Sequence, residues 1–219
     1  MKRVFPRSIF PLTLIIVLAL FLRFYQLSSN PAGFFCNEAS IGNNAYLLLK
    51  TGKDDTGQPW PLFFRAFGEY KSPILTYSTI PMVAVFGLNE FSTRVPSAIY
   101  GVLGVMAIFL LAKILFGVEI ALLSSFFLAI SPWHVHISRI SLEGFSPYVF
   151  LATLGSYFFL KSKENIRFLP LSFLTFAIGL YSYFAARIFI PMFLLGMIFL
   201  YRKFLLTKVK IMLISFIVG

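Results

Sequence analysis

The sequence predicts an all-α protein: a polytopic transmembrane helical bundle with interfacial helices in its first external loop. Three observations predict it. The 219 residues are 58% hydrophobic and only 12% charged, with a mean hydropathy of +0.85, far from a soluble composition. Apolar runs recur at 8–27, 73–88, 95–116, 118–133, 145–160, 168–185, 188–201 and from 211 onward, and roughly 20 helical residues cross a hydrocarbon core of about 30 Å. The 28 phenylalanines and 10 tyrosines suit helices whose ends meet lipid headgroups.

The first run follows Lys2, Arg3 and Arg7 and carries no charge over residues 9–22. It is too long for the apolar region of a signal peptide, and no small-residue cleavage site comes after it, so it reads as a retained anchor. The last ten residues, Lys210 to Gly219, stop partway into another apolar segment, so the chain reads as the N-terminal part of a longer protein, with 1–219 a single, C-terminally incomplete transmembrane domain. The lone cysteine, Cys36, excludes an internal disulfide and a cysteine-based metal cluster. The net charge of +11 does not signify nucleic acid. The basic residues lie in short groups between apolar runs, with no solvated patch or binding motif.

Those groups set the topology, because Lys and Arg gather in short cytoplasmic loops. The run 73–88 is short and polar, with Thr76, Tyr77, Ser78, Thr79 and Pro81. If it does not cross, the N-terminus, Lys113, Lys161/Lys163/Arg167 and Arg202/Lys203/Lys208/Lys210 all face the cytoplasm. If it crosses, the last three groups move outside. It is therefore expected to lie half-embedded in the outer leaflet. This leaves a long first external loop, 29–93, holding five of the eight acidic residues: Glu38, Asp54, Asp55, Glu69 and Glu90. Shorter external turns lie near 134–144 and 181–187. The expected location is the cell membrane, multi-pass, with a cytoplasmic N-terminus.

Within that loop, Ile41, Ala45 and Leu48/Leu49 form an apolar stripe beside Glu38, Asn43 and Lys50, as in a helix lying in the interface. Asn37 reads as its N-cap and Glu38 as a first-turn acid favourable to the dipole. A carboxylate pinned at a membrane exit is also placed to meet a lipid-borne substrate, and the two readings are compatible. Lys71 precedes Pro73, a residue suited to a first helical turn; it either snorkels among lipid phosphates or binds one. Arg94, opening the next span, is either a flanking anchor or a second partner for phosphate or carboxylate. Arg139 and Glu143 stand four apart in the most polar break, Ser131 to Glu143. On a helix they would share one face as an intrahelical ion pair, although ionisable residues near the membrane are often functional. His134 and His136 are two apart and make a weak metal pair. Tyr181 and Tyr183 fit an aromatic belt, with Arg187 either a flank or a substrate contact.

Taken in order, the acidic position after the first span, the Lys-x-Pro start of a surface helix, Arg94-Val95-Pro96-Ser97-Ala98, and Ser131-Pro132-Trp133-His134 with Ser138-Arg139 and Leu142-Glu143 resemble bacterial members of glycosyltransferase family 39. These are membrane enzymes of the GT-C fold, related to protein O-mannosyltransferases and to the aminoarabinose transferase acting on lipid A. The resemblance covers nearly the whole chain. It implies transfer of a hexose-type sugar from a polyprenyl-phosphate donor to an acceptor hydroxyl on the outer face of the membrane, usually with inversion, the acceptor being a protein, lipid or glycan.

The family's Asp-Glu pair falls on Asn37-Glu38, its surface-helix lysine on Lys71, its arginine on Arg94 and its later acid on Glu143. The expected set is therefore Glu38, Asn37 and Glu143 for catalysis, with Lys71, Arg94 and Arg139 for the donor phosphate. No metal ligand is assigned, and a divalent metal stays open. Asn37 departs from the pattern, because a carboxamide cannot take the proton that the family's Asp accepts. Either Glu38 takes over or activity is weak or lost. A catalytically silent relative and a lipid-linked sugar transporter or flippase component are the alternatives; the latter would want ionisable residues near mid-membrane, whereas this chain keeps nearly all of them at the edges.

Overall fold

The computed structural model describes residues 9–66 and 68–207. Lys2, Arg3, Arg7, Lys208, Lys210 and the apolar run from 211 lie outside the described residues.

The charge-free first run forms α1 (Ile9–Phe24), shorter than the expected 8–27. A loop leads to α2 (Cys36–Thr51), whose Ile41, Ala45 and Leu48 turn inward as the stripe predicts, and which Gly52 ends in the left-handed conformation. The all-α expectation needs one amendment. Residues Phe64–Ala66 (β1) and Glu69–Lys71 (β2) pair antiparallel as a small hairpin, with Gly68 at φ +81°. The hairpin delivers the chain to Pro73, the first residue of α3 (Pro73–Phe86), so Lys71 sits on a strand rather than on the surface helix.

Next comes α4 (Glu90–Phe116), capped by the Asn89 side chain accepting from the Ser92 amide at 2.9 Å. Its 27 residues extend about 40 Å at 1.5 Å each. Among the described residues it is the helix long and apolar enough to cross a membrane unaided. Around it pack α1, α3, α5 (Val118–Ile130), α6 (Pro132–Arg139) and α7 (Phe145–Lys161). The expected span 118–133 is instead the pair α5–α6, bent by 56° at Ser131-Pro132. Proline starts a helix readily but denies the preceding turn its hydrogen bond, which explains the break.

α8 (Phe168–Gly179) stops six residues short of the expected end, and α9 (Ala186–Leu200) comes after a run of turns. One apolar cluster, with Ile15, Ala19, Val102, Val105 and Ala129, joins α1, α4 and α5. Another, including Phe159, Phe176 and Ile190, joins α7, α8 and α9. Close approach needs small residues. A Cβ on Gly101 would lie 2.5 Å from the Ser138 Cβ of α6, so α4 and α6 touch only because residue 101 has no side chain.

The residues flanking α3 bear on the topology. Lys71, before it, reaches Glu143, and Arg94, after it, reaches Glu38. Asn37, next to Glu38, is itself bonded to Glu143. The residues on both flanks of α3 thus contact one connected group of side chains.

A candidate active site built on buried arginines

Three arginines fix the end of the molecule where the candidate residues meet. Arg94 and Glu38 form a buried ion pair, at 2.8 Å from Nε to Oε1, with a second bond from Nη2 to Oε2 at 3.0 Å. Arg94 is 0% and Glu38 1% exposed. The remaining N–H groups of Arg94 go to the carbonyl oxygens of Leu27, Pro31 and Gly33, so all five donors of the guanidinium are used. Glu38 also accepts from the backbone amides of Phe35 and Ser141, which fills its four acceptor positions. A buried pair persists only when its remaining polar valences are satisfied in this way. The lock joins α2, α4, the loop after α1 and the loop after α6.

Arg139 works differently from the expected ion pair. Helix α6 ends at Arg139, and the chain then turns away, so Glu143 does not share its face. Arg139 instead donates to the carbonyls of Leu22, Tyr25 and Asn30 at 2.6–2.7 Å, satisfying orphan acceptors at the C-terminus of α1. Arg23 does the same for α5, donating to Leu128 and Ala129, and meets His134 Nδ1 at 2.7 Å. His134 is therefore buried against Arg23, while His136 is exposed; the two do not converge as a metal pair. Among the described residues no three His, Cys, Asp or Glu side chains gather around one point.

Asn37 is not the N-cap of α2. That position belongs to Phe35, and Asn37 lies inside the first turn, where its Nδ2 donates to Glu143 Oε1 at 3.0 Å. The same oxygen receives Lys71 Nζ at 2.7 Å, and Lys71 also reaches the exposed Glu69 at 3.3 Å. Burial pulls the Lys71 ammonium down, but the hydrogen bonds and charges of Glu143 and then Glu69 outweigh it, raising it above 10.5. Glu143 is held out by strained backbone: it sits at φ +48° and Gly144 at φ +82°. At Gly144 a Cβ would overlap the Ser182 carbonyl oxygen, so the tight approach of this loop to the α8–α9 turn requires glycine.

Glu143 is one-third exposed, and its Oε2 has no protein partner among the described residues. With Lys71, Tyr183, Phe184 and Arg187 it lines a cavity of about 430 Å³. A second cavity, of about 400 Å³, lies among Phe34, Phe35, Ile140 and Leu142.

Of the six expected residues, Asn37, Lys71 and Glu143 thus come together. Glu38 and Arg94 lie directly behind them as a saturated pair, and Arg139 is spent on carbonyls. The residue that sequence reasoning left undecided is Arg187. The signal for the burial of Glu38 was present: positions 38, 41, 45 and 48 share one helix face, so Glu38 belongs to the apolar stripe rather than beside it.

A cavity lined by Lys71, Glu143 and Arg187, in a chain of apolar helices of which α4 is long enough to cross a membrane, fits a membrane protein that gathers charged side chains around one cavity. A family profile described as dolichyl-phosphate-mannose-protein mannosyltransferase matches residues 70–218. The chain belongs to that family, one of membrane glycosyltransferases of the mannosyltransferase type. The matched segment contains Lys71, Arg94, Arg139, Glu143 and Arg187, and begins after Asn37 and Glu38. No curated protein and no solved structure matches the chain significantly.

Proposed function

We propose that this protein transfers a hexose-type sugar from a polyprenyl-phosphate donor to an acceptor hydroxyl on the outer face of the cell membrane, with Glu143 as general base. The observation that carries the reading is the Glu143 carboxylate. One oxygen is fixed by Lys71 and Asn37, and the other has no partner among the described residues, on a side chain that lines the cavity. In the reaction the acceptor oxygen attacks the anomeric carbon and forms the new glycosidic bond. The bond from that carbon to the phosphate oxygen breaks, and the phosphate keeps the electron pair. The acceptor's proton passes to Glu143 Oε2, within reach of a hydroxyl entering the cavity. Lys71 holds Glu143 in place.

Asn37 fits this assignment. A second carboxylate 3.0 Å from Glu143 would repel it, whereas the amide donates to it. Glu38 and Arg94 are positioning residues that hold Asn37 and the 141–143 loop.

The same reading makes the chain one multi-pass transmembrane domain of GT-C type, with 29–93 external, α2 and α3 interfacial, and the N-terminus cytoplasmic. Its support is the gathering of residues 37, 71, 143 and 187 at one end, which needs α3 not to cross. Acceptor protein, lipid or glycan would enter from outside.

The test uses the full-length protein in proteoliposomes with polyprenyl-phosphate mannose, comparing wild type with Asn37→Asp. Sugar release by wild type that slows in Asn37→Asp is expected. Silence in wild type with activity appearing in Asn37→Asp would show a scaffold that has lost its base and overturn the assignment. The exposed Cys36 gives the orientation: a membrane-impermeant maleimide should label it in intact cells.

A further inference from the structure

We infer that Arg187 is the anion-binding residue of the cavity, and that its ligand is the phosphate group of a lipid. Cations near the cavity are otherwise committed. Lys71 is divided between Glu143 and Glu69, Arg94 is saturated by Glu38 and three carbonyls, and Arg139 serves the end of α1. The Arg187 side chain makes no hydrogen bond or ion pair among the described residues, and its Nε and Nη2 are buried without partners.

Leaving charged donors unmade is costly, so the arrangement calls for an acceptor brought from outside. Aromatic rings flank the guanidinium where it lines the cavity. It lies 4.6 Å from the Phe63 ring centroid and 5.7 Å from that of Phe184, and Phe63 in turn stacks on Tyr181. Stacking leaves the planar edge of the fork, the part that matches a phosphate in a bidentate way. The position of Arg187 in the first turn of α9 adds the favourable end of the helix dipole.

The residues after Arg187 point to a lipid. Ile188, Phe189, Met192 and Leu195 are all more than half exposed on α9, an apolar path beginning beside the cation. A phosphate seated on Arg187 can send its hydrocarbon chain down that path while its other substituent faces Glu143. The cavity's two carboxylates, Glu69 and Glu143, are both engaged by Lys71, which leaves Arg187 as the place for a third anion. The identity of the lipid as the sugar carrier rests on the function proposed above; the phosphate site does not.

The test is binding of sugar-free undecaprenyl phosphate to the full-length protein in phosphatidylcholine nanodiscs. Wild type, Arg187→Gln and Arg187→Lys are compared, with undecaprenol as the phosphate-free control. Arg187→Gln should bind the phosphate about 10- to 100-fold more weakly, the equivalent of losing charged hydrogen bonds, and Arg187→Lys should fall between. Undecaprenol should bind all three alike. Because the Arg187 side chain has no hydrogen-bond partner among the described residues and loses only its ring contacts, Arg187→Gln should unfold within a few degrees of wild type; if it does not fold, Arg187→Lys alone decides, and wild-type affinity there overturns the inference. Affinity within twofold of wild type in Arg187→Gln also overturns it. Equal competition by phosphatidylglycerol would assign the site to membrane phospholipid rather than to a carrier, with the phosphate chemistry intact. Arg187-dependent binding without any sugar transfer would refute the proposed function alone, whereas sugar transfer with unchanged donor affinity in Arg187→Gln would refute this inference alone.

Discussion

Glu38→Gln separates a positioning acid from a catalytic one. The substitution keeps the shape of the side chain but turns one acceptor oxygen into an NH₂ group. That group must face either Arg94 Nε and the Ser141 amide or Arg94 Nη2 and the Phe35 amide, donors in both cases. Two charge-assisted bonds are weakened or lost, at about 1.5–3 kcal/mol each. The expected cost is therefore about 3–5 kcal/mol, the range for breaking one side of a buried ion pair. For a chain of this size that lowers the unfolding temperature on the order of 10 °C. Tryptophan fluorescence of the purified protein during heating in detergent reads it. Activity should fall in proportion to the folded fraction, and Arg94→Met should resemble it, with the double variant Glu38→Leu/Arg94→Met less destabilised than the sum of single changes. An unchanged unfolding temperature together with abolished transfer would place Glu38 on the substrate and rule out a positioning role.

Two other outcomes come from the same geometry. The Lys71 ammonium is raised above 10.5 by Glu143 and Glu69 against the effect of burial, so the stability its ion pairs give is fully present below that pH and lost only as pH climbs through the higher folded value. A pH–rate profile in proteoliposomes should accordingly show no Lys71-dependent loss between pH 7 and about 10, and an alkaline limb near neutrality that moves in Lys71→Arg would contradict it. Gly144→Ala should disrupt the loop carrying Glu143, since its Cβ would strike the Ser182 carbonyl at a left-handed φ; circular dichroism and gel filtration would show lost folding or, if the fold survives, lost transfer, and wild-type behaviour in both would argue against the loop geometry.

Much of this was legible in the sequence. The helices arise from apolar runs bounded by proline and glycine, and the α2 stripe from its spacing. Residues 37, 71 and 143 stood together with 38, 94 and 139 in the set that the resemblance implied, and the first three do meet. The illegible parts have physical reasons. Arg139 and Arg94 bind backbone carbonyls, which have no side-chain signature, so their burial looked like surface charge. The Arg139–Glu143 spacing suggested a helical pair, but α6 ends at Arg139 and the extended backbone of Ile140 breaks the helix between them. The hairpin at 64–71 is only three residues a strand, too short for its alternation to stand out. Arg187 looked like one more flank because its unpartnered state emerges only when Phe63, far away in sequence, is seen stacked on it.

In the proposed reaction Glu143, not Glu38, takes the proton. Single-turnover transfer from saturating polyprenyl-phosphate mannose by Glu143→Gln decides the point, with donor affinity measured alongside. The expected rate is reduced by about 10²–10⁴, with donor affinity and unfolding temperature close to wild type. A Glu143→Gln rate near wild type, beside a folded but inactive Glu38→Gln, would move the base to Glu38 and overturn the mechanism.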